Sequence, residues 1–325
     1  MVAALVLAVA GVATVDAQPA AANTWYYPGP TISISQFASQ FGTNILFVFW
    51  QGTGGGLWQA ENDGNGWRGP YHLAQAGTMA SEPTTATVGN NPYVVWQGTD
   101  NALWMTYFDG TRWIGACKLG MGPLGSRPSI SRDESNVLTV GWKGTDGGLW
   151  YAYSPPNPGC GGWSGPHKVA NTGTLGSSPG IAGRAGGRYL DAAWSGAGSS
   201  RDLWWHEGNG IFKDLGVHPI DSPPAVYQTV NVGFEEFWTA LFVSGGHLWY
   251  ARIHYGGPGH TTTADTVGEL TNGGTPGSAP GYAFNPVGQT HYVVWKGTDN
   301  ELWMATASFL TSWNVFKIPG MGPLG

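Results

Sequence analysis

Charge is scarce in this chain. Asp, Glu, Lys and Arg make up 10% of its 325 residues, against roughly 25% in an ordinary soluble domain, and the 20 acids and 14 bases form no runs. No basic cluster exists to neutralise a phosphate backbone, which argues against a nucleic-acid partner. Cysteine is rarer still, limited to Cys117 and Cys160. Neither belongs to a CxxC pair, and the eight histidines show no HExxH or similar spacing, so zinc, redox and other metal sites have no support. Stretches free of Gly and Pro are short, because those residues take 75 of 325 positions; only 298–318 is long enough for a helix. Coiled coils and helical bundles are thereby excluded, and the lack of Gly at every third position excludes collagen.

Aromatic residues are abundant instead: 18 Trp, 13 Tyr and 12 Phe, which no disordered chain carries. The class that remains is β-rich and turn-rich. Residues 1–22 read as a secretory signal peptide. Met1–Val15 is a run of small apolar residues, too short for a span of ~20, and it ends in Val15-Asp16-Ala17 or Ala20-Ala21-Ala22. It lacks Lys and Arg, which leaves a true start further upstream or an uncleaved apolar tail as the alternatives. No later segment approaches the length of a membrane span without Gly or charge. A secreted, extracellular location is expected. There, Cys117 and Cys160 either form a disulfide or remain two buried thiols.

Internal similarity organises everything after the leader. A Leu-Trp pair recurs at Leu57-Trp58, Leu103-Trp104, Leu149-Trp150, Leu203-Trp204, Leu248-Trp249 and Leu302-Trp303, at intervals of 46, 46, 54, 45 and 54 residues. Ahead of each lies a Pro, then an apolar run ending in Trp-x-Gly at Trp50, Trp96, Trp142, Trp194 and Trp295; the fifth copy shows Val243 at that place. A further Trp follows in four copies, at Trp67, Trp113, Trp163 and Trp313. In the third copy the strand candidates are RPSISR, VLTVGWKG, LWYAYS and WSGPHKV, with the turn GTDGG between the middle two. Asp followed by Asn or Gly suits a tight hairpin turn, which needs a residue with positive φ. Four strands per ~45–55 residues, repeated six times, is the arithmetic of an all-β propeller. The repeats start near 30, 82, 127, 178, 223 and 279, and 24–325 is expected to be one domain, because each blade buries its faces only against its neighbours. Six four-stranded blades is the direct reading. A seventh stays open, because Trp25-Tyr26-Tyr27-Pro28-Gly29 resembles the close of a unit and could supply an outer strand.

The strings VVWKGTDNELW, VVWQGTDNALW and VGWKGTDGGLW resemble the repeat of bacterial β-propeller lectins of the Photorhabdus-lectin type. The resemblance covers residues 30–325 and is strongest in copies two, three and six. It implies binding of glycans, such as fucosylated or methylated sugars, in grooves between blades. Family members have seven blades where six units stand here, and copies four and five depart at the GTD turn.

Indole offers a flat apolar surface to the C–H face of a sugar, while Asp or backbone groups take the hydroxyls. Trp50, Trp96, Trp142 and Trp295, at strand ends beside Gln or Lys, are the first candidates for carbohydrate contact. Trp67, Trp113, Trp163 and Trp313 come next. Asp100, Asp146 and Asp299 are further candidates, with turn formation as their plainer role. Many of these tryptophans must pack between blades whatever else they do.

Two motifs mimic catalytic ones. Gly176-Ser177-Ser178-Pro179-Gly180 fits G-x-S-x-G, but Pro179 has no N–H for an oxyanion hole, and the slot recurs at Ser81-Glu82-Pro83, Ser126-Arg127-Pro128 and Ser278-Ala279-Pro280. Gly120–Gly125 fits G-x-G-x-x-G with no helix after it, so no dinucleotide is expected, nor any other cofactor. The reading is a multivalent, non-catalytic lectin with glycoconjugate partners; an oligomer is compatible with it. A propeller glycosidase or sialidase-like enzyme is the alternative and would need two carboxylates on one site. The non-repeated acids Glu61, Asp133, Glu134, Asp191, Glu207, Glu235, Glu236, Asp265 and Glu269 are where to seek them. A protein-interaction propeller is the third reading.

Overall fold

In the computed structural model, the described residues are 32–38 and 44–318, apart from short breaks at 53, 74–75, 184–189, 200, 209, 218, 233–234, 257–260, 271–273, 286–289 and 309–311. The leader, Trp25–Gly29 and the second GMGPLG lie outside them.

Among the described residues, twenty-four strands form six four-stranded sheets, each built from strands consecutive in sequence and paired antiparallel. Blade one is β1 (Ile32–Ala38), β2 (Asn44–Gln51), β3 (Leu57–Asn62) and β4 (Trp67–Leu73). Blade two is β5 (Thr84–Val88), β6 (Asn91–Gln97), β7 (Leu103–Phe108) and β8 (Trp113–Lys118). Blade three is β9 (Ser129–Arg132), β10 (Leu138–Lys143), β11 (Leu149–Tyr153) and β12 (Ser164–Lys168), matching the four expected segments. Blade four is β13 (Gly180–Gly183), β14 (Leu190–Ser195), β15 (Leu203–Glu207) and β16 (Ile211–Asp214). Blade five is longer: β17 (Ala225–Val232), β18 (Glu235–Ser244), β19 (His247–Gly256) and β20 (Thr261–Glu269). Blade six is β21 (Gly281–Asn285), β22 (Thr290–Lys296), β23 (Leu302–Ala307) and β24 (Asn314–Lys317).

The first strand of each blade lies innermost, against the first strand of the next, and β21 lies against β1. Six complete blades therefore close the ring, and blade six has its own outer strand, β24. This order puts every turn between second and third strands, and every linker between blades, on one face of the ring.

Burial explains why the repeat keeps its two Trp positions. Cross-strand partners share a sheet face. Trp96 pairs with Trp104, and both pack into the seam with blade one, while Leu103 packs into the seam with blade three. Blade three repeats this, with Trp142 and Trp150 facing blade two and Leu149 facing blade four. Five seams thus receive a Trp pair from one blade and a Leu from the other, the seam of blades four and five receives Phe242 with Trp249 against Leu203, and six apolar clusters result among the described residues.

Blade five corrects the sequence alignment. Phe242, not Val243, pairs with Trp249 and occupies the place of Trp96. Its turn is only Gly245-Gly246, between partners Ser244 and His247. Phe242 to Trp249 is thus seven residues where Trp96 to Trp104 is eight. Trp238, fully buried, fills the rest of that seam.

Linker serines pin the blades together. Ser81, Ser126, Ser177, Ser222 and Ser278 each accept a hydrogen bond at Oγ from the main-chain N–H of Gln97, Lys143, Ser195, Val243 or Lys296, at 2.9–3.1 Å. The apparent nucleophile motif at 176–180 is one of these linkers. Cys117 and Cys160 are bonded, with Cα atoms 5.5 Å apart, tying the outer strand of blade two to the long β11–β12 loop. That loop also receives the Tyr93 hydroxyl on the Pro158 carbonyl at 2.9 Å.

Candidate functional site

The turn Gly98-Thr99-Asp100-Asn101-Ala102 closes with Asn101 N–H on the Gly98 carbonyl at 2.9 Å and Gly98 N–H on the Ala102 carbonyl at 3.0 Å. Asn101 takes φ of 59°, a conformation Asn tolerates. Asp100 precedes it and folds its carboxylate back over the turn, accepting the Ala102 N–H at 3.1 Å. The same oxygen accepts the indole N–H of Trp104 at 2.9 Å. The other carboxylate oxygen meets Lys118 Nζ at 2.7 Å, and that ammonium sits 6.0 Å from the Trp104 ring centroid.

Blade three repeats the cluster. Trp150 donates to Asp146 at 3.0 Å, Lys168 approaches Asp146 at 2.6 Å, and its Nζ lies 5.7 Å from the ring. In blade six, Trp303 donates to Asp299 at 3.1 Å, Lys317 approaches Asp299 at 2.8 Å, and the ammonium lies 5.1 Å from the ring. The lysines come from one register position: β8, β12 and β24 set them opposite the Leu-Trp tryptophan.

Each carboxylate is held ionised. Hydrogen bonds from Lys118, Trp104 and the Ala102 amide hold Asp100 well below the usual carboxylate range. Lys168, then Trp150 and the Gly148 amide, bring Asp146 down to about 2. For Asp299, desolvation pushes upward, and Lys317, Trp303 and the Glu301 amide together overcome it. Asp299 in turn raises Lys317. These groups lie at the surface, where such pairs contribute little to stability. Their effect is to fix an indole edge, an ammonium and a carboxylate side by side at a blade seam.

The first-ranked tryptophans are not there. Trp50, Trp96, Trp142 and Trp295 are 3%, 1%, 1% and 0% exposed, packed in the seams with no ring face free. Strand alternation and cross-strand pairing point them toward the neighbouring blade, so they are packing residues. Trp113 is buried as well, against Phe49 and Phe108. Trp67, Trp163 and Trp313 are half-buried at seams, and Trp163 donates to the Gly159 carbonyl at 3.0 Å. The half-exposed indoles at the turn face are those of the Leu-Trp pairs. Asp100, Asp146 and Asp299 are where the sequence put them, serving the turn and the indole together. Lys118, Lys168 and Lys317 were missed. A signal existed: a basic residue follows the Leu-Trp tryptophan by 14 residues at Lys118, Lys317 and His72, and by 18 at Lys168.

The other blades vary this theme. Blade one has Gly54-Gly55-Gly56 in its turn, and His72 stacks on Trp58 with centroids 4.8 Å apart. In blade five Glu269 replaces the lysine and meets His247 Nδ1 at 2.9 Å. In blade four Asp214 stands opposite Trp204 and accepts the Gly216 N–H at 2.8 Å.

Several non-repeated acids are engaged structurally. Asp133 caps its own turn through Ser135 and Val137 N–H at 2.9 and 2.8 Å. Buried Asp191 accepts Gly208 N–H at 3.0 Å, and buried Glu207 accepts the Thr262 hydroxyl at 2.9 Å across the seam. Asp265 meets His254 at 3.0 Å and Glu61 meets Arg68 at 3.7 Å. The side chains of Glu235 and Glu236 lie outside the described residues. Among the described residues no group of three or more His, Cys, Asp or Glu could hold a metal ion, and no helix is long and apolar enough to cross a membrane.

No protein-family profile matches the chain, and no curated protein matches it. Solved structures do. The Aleuria aurantia lectin, a fungal six-bladed β-propeller described with a fucose recognition mode, is similar over 93% of this chain and 100% of its own, at a TM-score of 0.68 and 17% identity. AofleA from Arthrobotrys oligospora is similar over 90% of this chain and 87% of its own, at 0.64 and 13%. SapL1 lectin, solved with α-methyl fucoside, is similar over 90% and 98%, at 0.62 and 16%. At such identities the likeness is one of fold, and the fold is the six-bladed propeller.

Proposed function

We propose that the protein is a lectin rather than an enzyme, binding glycans at the seams between blades. The observation that carries this is the Trp–Asp–Lys cluster, built three times with one geometry at one register position. An indole supplies the apolar surface, the ammonium donates to a sugar hydroxyl, and the ionised carboxylate accepts from another. Repetition suits a binder, since a hydrolase needs one unrepeated carboxylate pair. The resemblance of the repeats to Photorhabdus-type lectins, and the fucose ligands named for the Aleuria aurantia and SapL1 lectins, support fucosylated or methylated glycans as the class. Several weak sites on one ring favour multivalent surfaces, where avidity multiplies affinity ~10²–10⁴-fold. The apolar leader and the disulfide support a secreted protein.

A glycan array followed by calorimetric titration of the best ligand tests this. Three or four sites per chain are expected, from the clusters of blades two, three and six and the Trp58–His72 stack. The pair Trp104→Ala and Trp150→Ala should remove two sites and leave the fold intact. Absence of binding to any glycan would overturn the proposal.

A further inference from the structure

Blades four and five depart from the repeat together, and at the same seam. The last residue of each second strand normally carries a long side chain toward the next linker. Gln51 Nε2 donates to the Met79 carbonyl at 2.7 Å, and Gln97 Nε2 donates to the Leu124 carbonyl at 2.8 Å. The register places Ser195 at this position in blade four. Ser195 is too short to cross, and its hydroxyl turns to the Gly196 carbonyl at 3.3 Å. Ile220 takes the place of Leu124: its N–H bonds the Arg201 carbonyl at 3.0 Å, as Leu124 N–H bonds that of Asn101 at 2.8 Å.

The next linker residue is Gly125 after blade two, Gly176 after blade three and Asp221 after blade four. Where the following turn is long this residue is Gly125, Gly176 or Gly277, or at largest Ala80, and a Cβ at Gly125 would meet the Gly144 carbonyl at 2.5 Å. The short Gly245-Gly246 turn of blade five removes that obstacle and admits a side chain. Asp221 uses the space, with one carboxylate oxygen accepting the Gly245 N–H at 2.7 Å and the other paired with Arg201. Arg201 itself stands where Asn101 stands in blade two, with φ of 51°. The result is an open groove of about 470 Å³, with Ser177, Ser195 and Gly196–Gly198 as its walls and the Arg201–Asp221 pair at its rim.

The occupant follows from the charges. An anion would have to draw Arg201 from Asp221 and then face that carboxylate, and a cation meets the converse difficulty. A neutral vicinal diol breaks nothing: one hydroxyl accepts from the guanidinium and its neighbour donates to the carboxylate. We infer that this groove is a separate site for a neutral monosaccharide unit, recognised through a vicinal diol and without an aromatic platform. Its placement on the face that carries the Trp–Asp–Lys clusters ties it to the lectin reading, on which it rests for ligand class.

The test is an NMR titration of the full chain with methyl α-fucoside, methyl α-mannoside and methyl α-galactoside. It follows the Arg201 Nε–H signal, assigned with Arg201→Lys, beside the indole N–H signals of Trp104, Trp150 and Trp303. At least one sugar should shift the Arg201 signal saturably. Ser195→Gln, which restores the residue of blades one and two, should abolish that shift while the indole signals still respond. Asp221→Asn keeps the shape and an acceptor for Gly245, and should weaken the site at least tenfold. Shifts at the indoles alone overturn the groove and leave the lectin proposal standing. A shift at Arg201 alone overturns the indole sites and keeps the groove. No shift anywhere overturns both.

Discussion

Gly98→Ala is a small change with a calculable effect. Gly98 has an ordinary φ, so alanine meets no backbone penalty. The obstacle is steric: the new methyl would collide with the Trp104 indole at Nε1 and Cδ1, and with the Asp100 carboxylate. Forcing a methyl into a packed contact costs about 1–3 kcal/mol. Loss of the Trp104–Asp100 bond adds about 1 kcal/mol, and the stiffer unfolded chain offsets about 0.5 kcal/mol. The net destabilisation is about 1.5–3.5 kcal/mol, or several degrees in Tm. In a Trp104→Ala background the indole is gone and Asp100 can swing aside, so the same substitution should cost less than about 0.5 kcal/mol. The coupling of about 1–3 kcal/mol is read from a double-mutant cycle by calorimetry or denaturant titration. Blade five shows the principle naturally: Ser244 carries a Cβ at this position, and Trp249 donates to the Ser244 carbonyl at 3.2 Å instead of to a carboxylate. Equal costs in the two backgrounds would refute the claim that this glycine exists to seat the indole.

Acid should weaken the fold before it affects the clusters. Burial holds His206 and His291 down to about 4, so the unfolded chain takes up protons first as pH falls below the ordinary value of 6.5. Stability present at pH 7 is therefore lost between about 6.5 and 4, by at most about 3 kcal/mol per histidine; His206→Gln or His291→Gln should flatten the Tm-against-pH curve. Sugar binding, if it uses Asp146, should hold constant to pH 4, because that carboxylate protonates only near 2. Reducing the Cys117–Cys160 bond, which spans 43 residues, should lower stability by about 4 kcal/mol on the chain-entropy estimate, and Cys117→Ser/Cys160→Ser should match the reduced protein. Ser126→Ala leaves the Lys143 N–H without its 3.1 Å partner and should cost about 1–2 kcal/mol, measured by denaturant titration.

The repeat period made the ring legible from sequence, because Leu-Trp and Trp-x-Gly mark the same two strands in nearly every copy. Closure was also legible in outline, since six units each supply four strands. What sequence alone concealed was which indole faces water. Trp96 and Trp104 look alike in a string, and their difference arises from depth in the seam. Both lie on one sheet face, yet Trp96 packs inside the wedge between blades while Trp104 lies over the turn glycine. The lysines were hidden because strand register, not sequence spacing, brings Lys118 and Lys168 to equivalent places. The β7–β8 hairpin is short, whereas the β11–β12 connection carries a long loop. Val243 was misread for a related reason: a turn one residue shorter shifted the alignment without shifting the register.

The same register position divides the ring. Opposite the Leu-Trp tryptophan stand His72, Lys118, Lys168 and Lys317 in blades one, two, three and six, which form a continuous arc because β21 lies against β1. Asp214 and Glu269 stand there in blades four and five. Where the outer strand supplies lysine, the turn supplies Asp; where it supplies Glu269, His247 is its partner. Because the ion pairs are local, neither arc presents a large field of one sign, and long-range attraction of charged ligands is not what the face is built for. On the lectin proposal, selection among glycans must then come from contact geometry at each seam. Two arcs with opposite placement of donor and acceptor around the indole cannot select the same hydroxyl pattern. A ring assembled from one repeat therefore carries at least two kinds of seam, and the Arg201–Asp221 groove lies within the arc that departs.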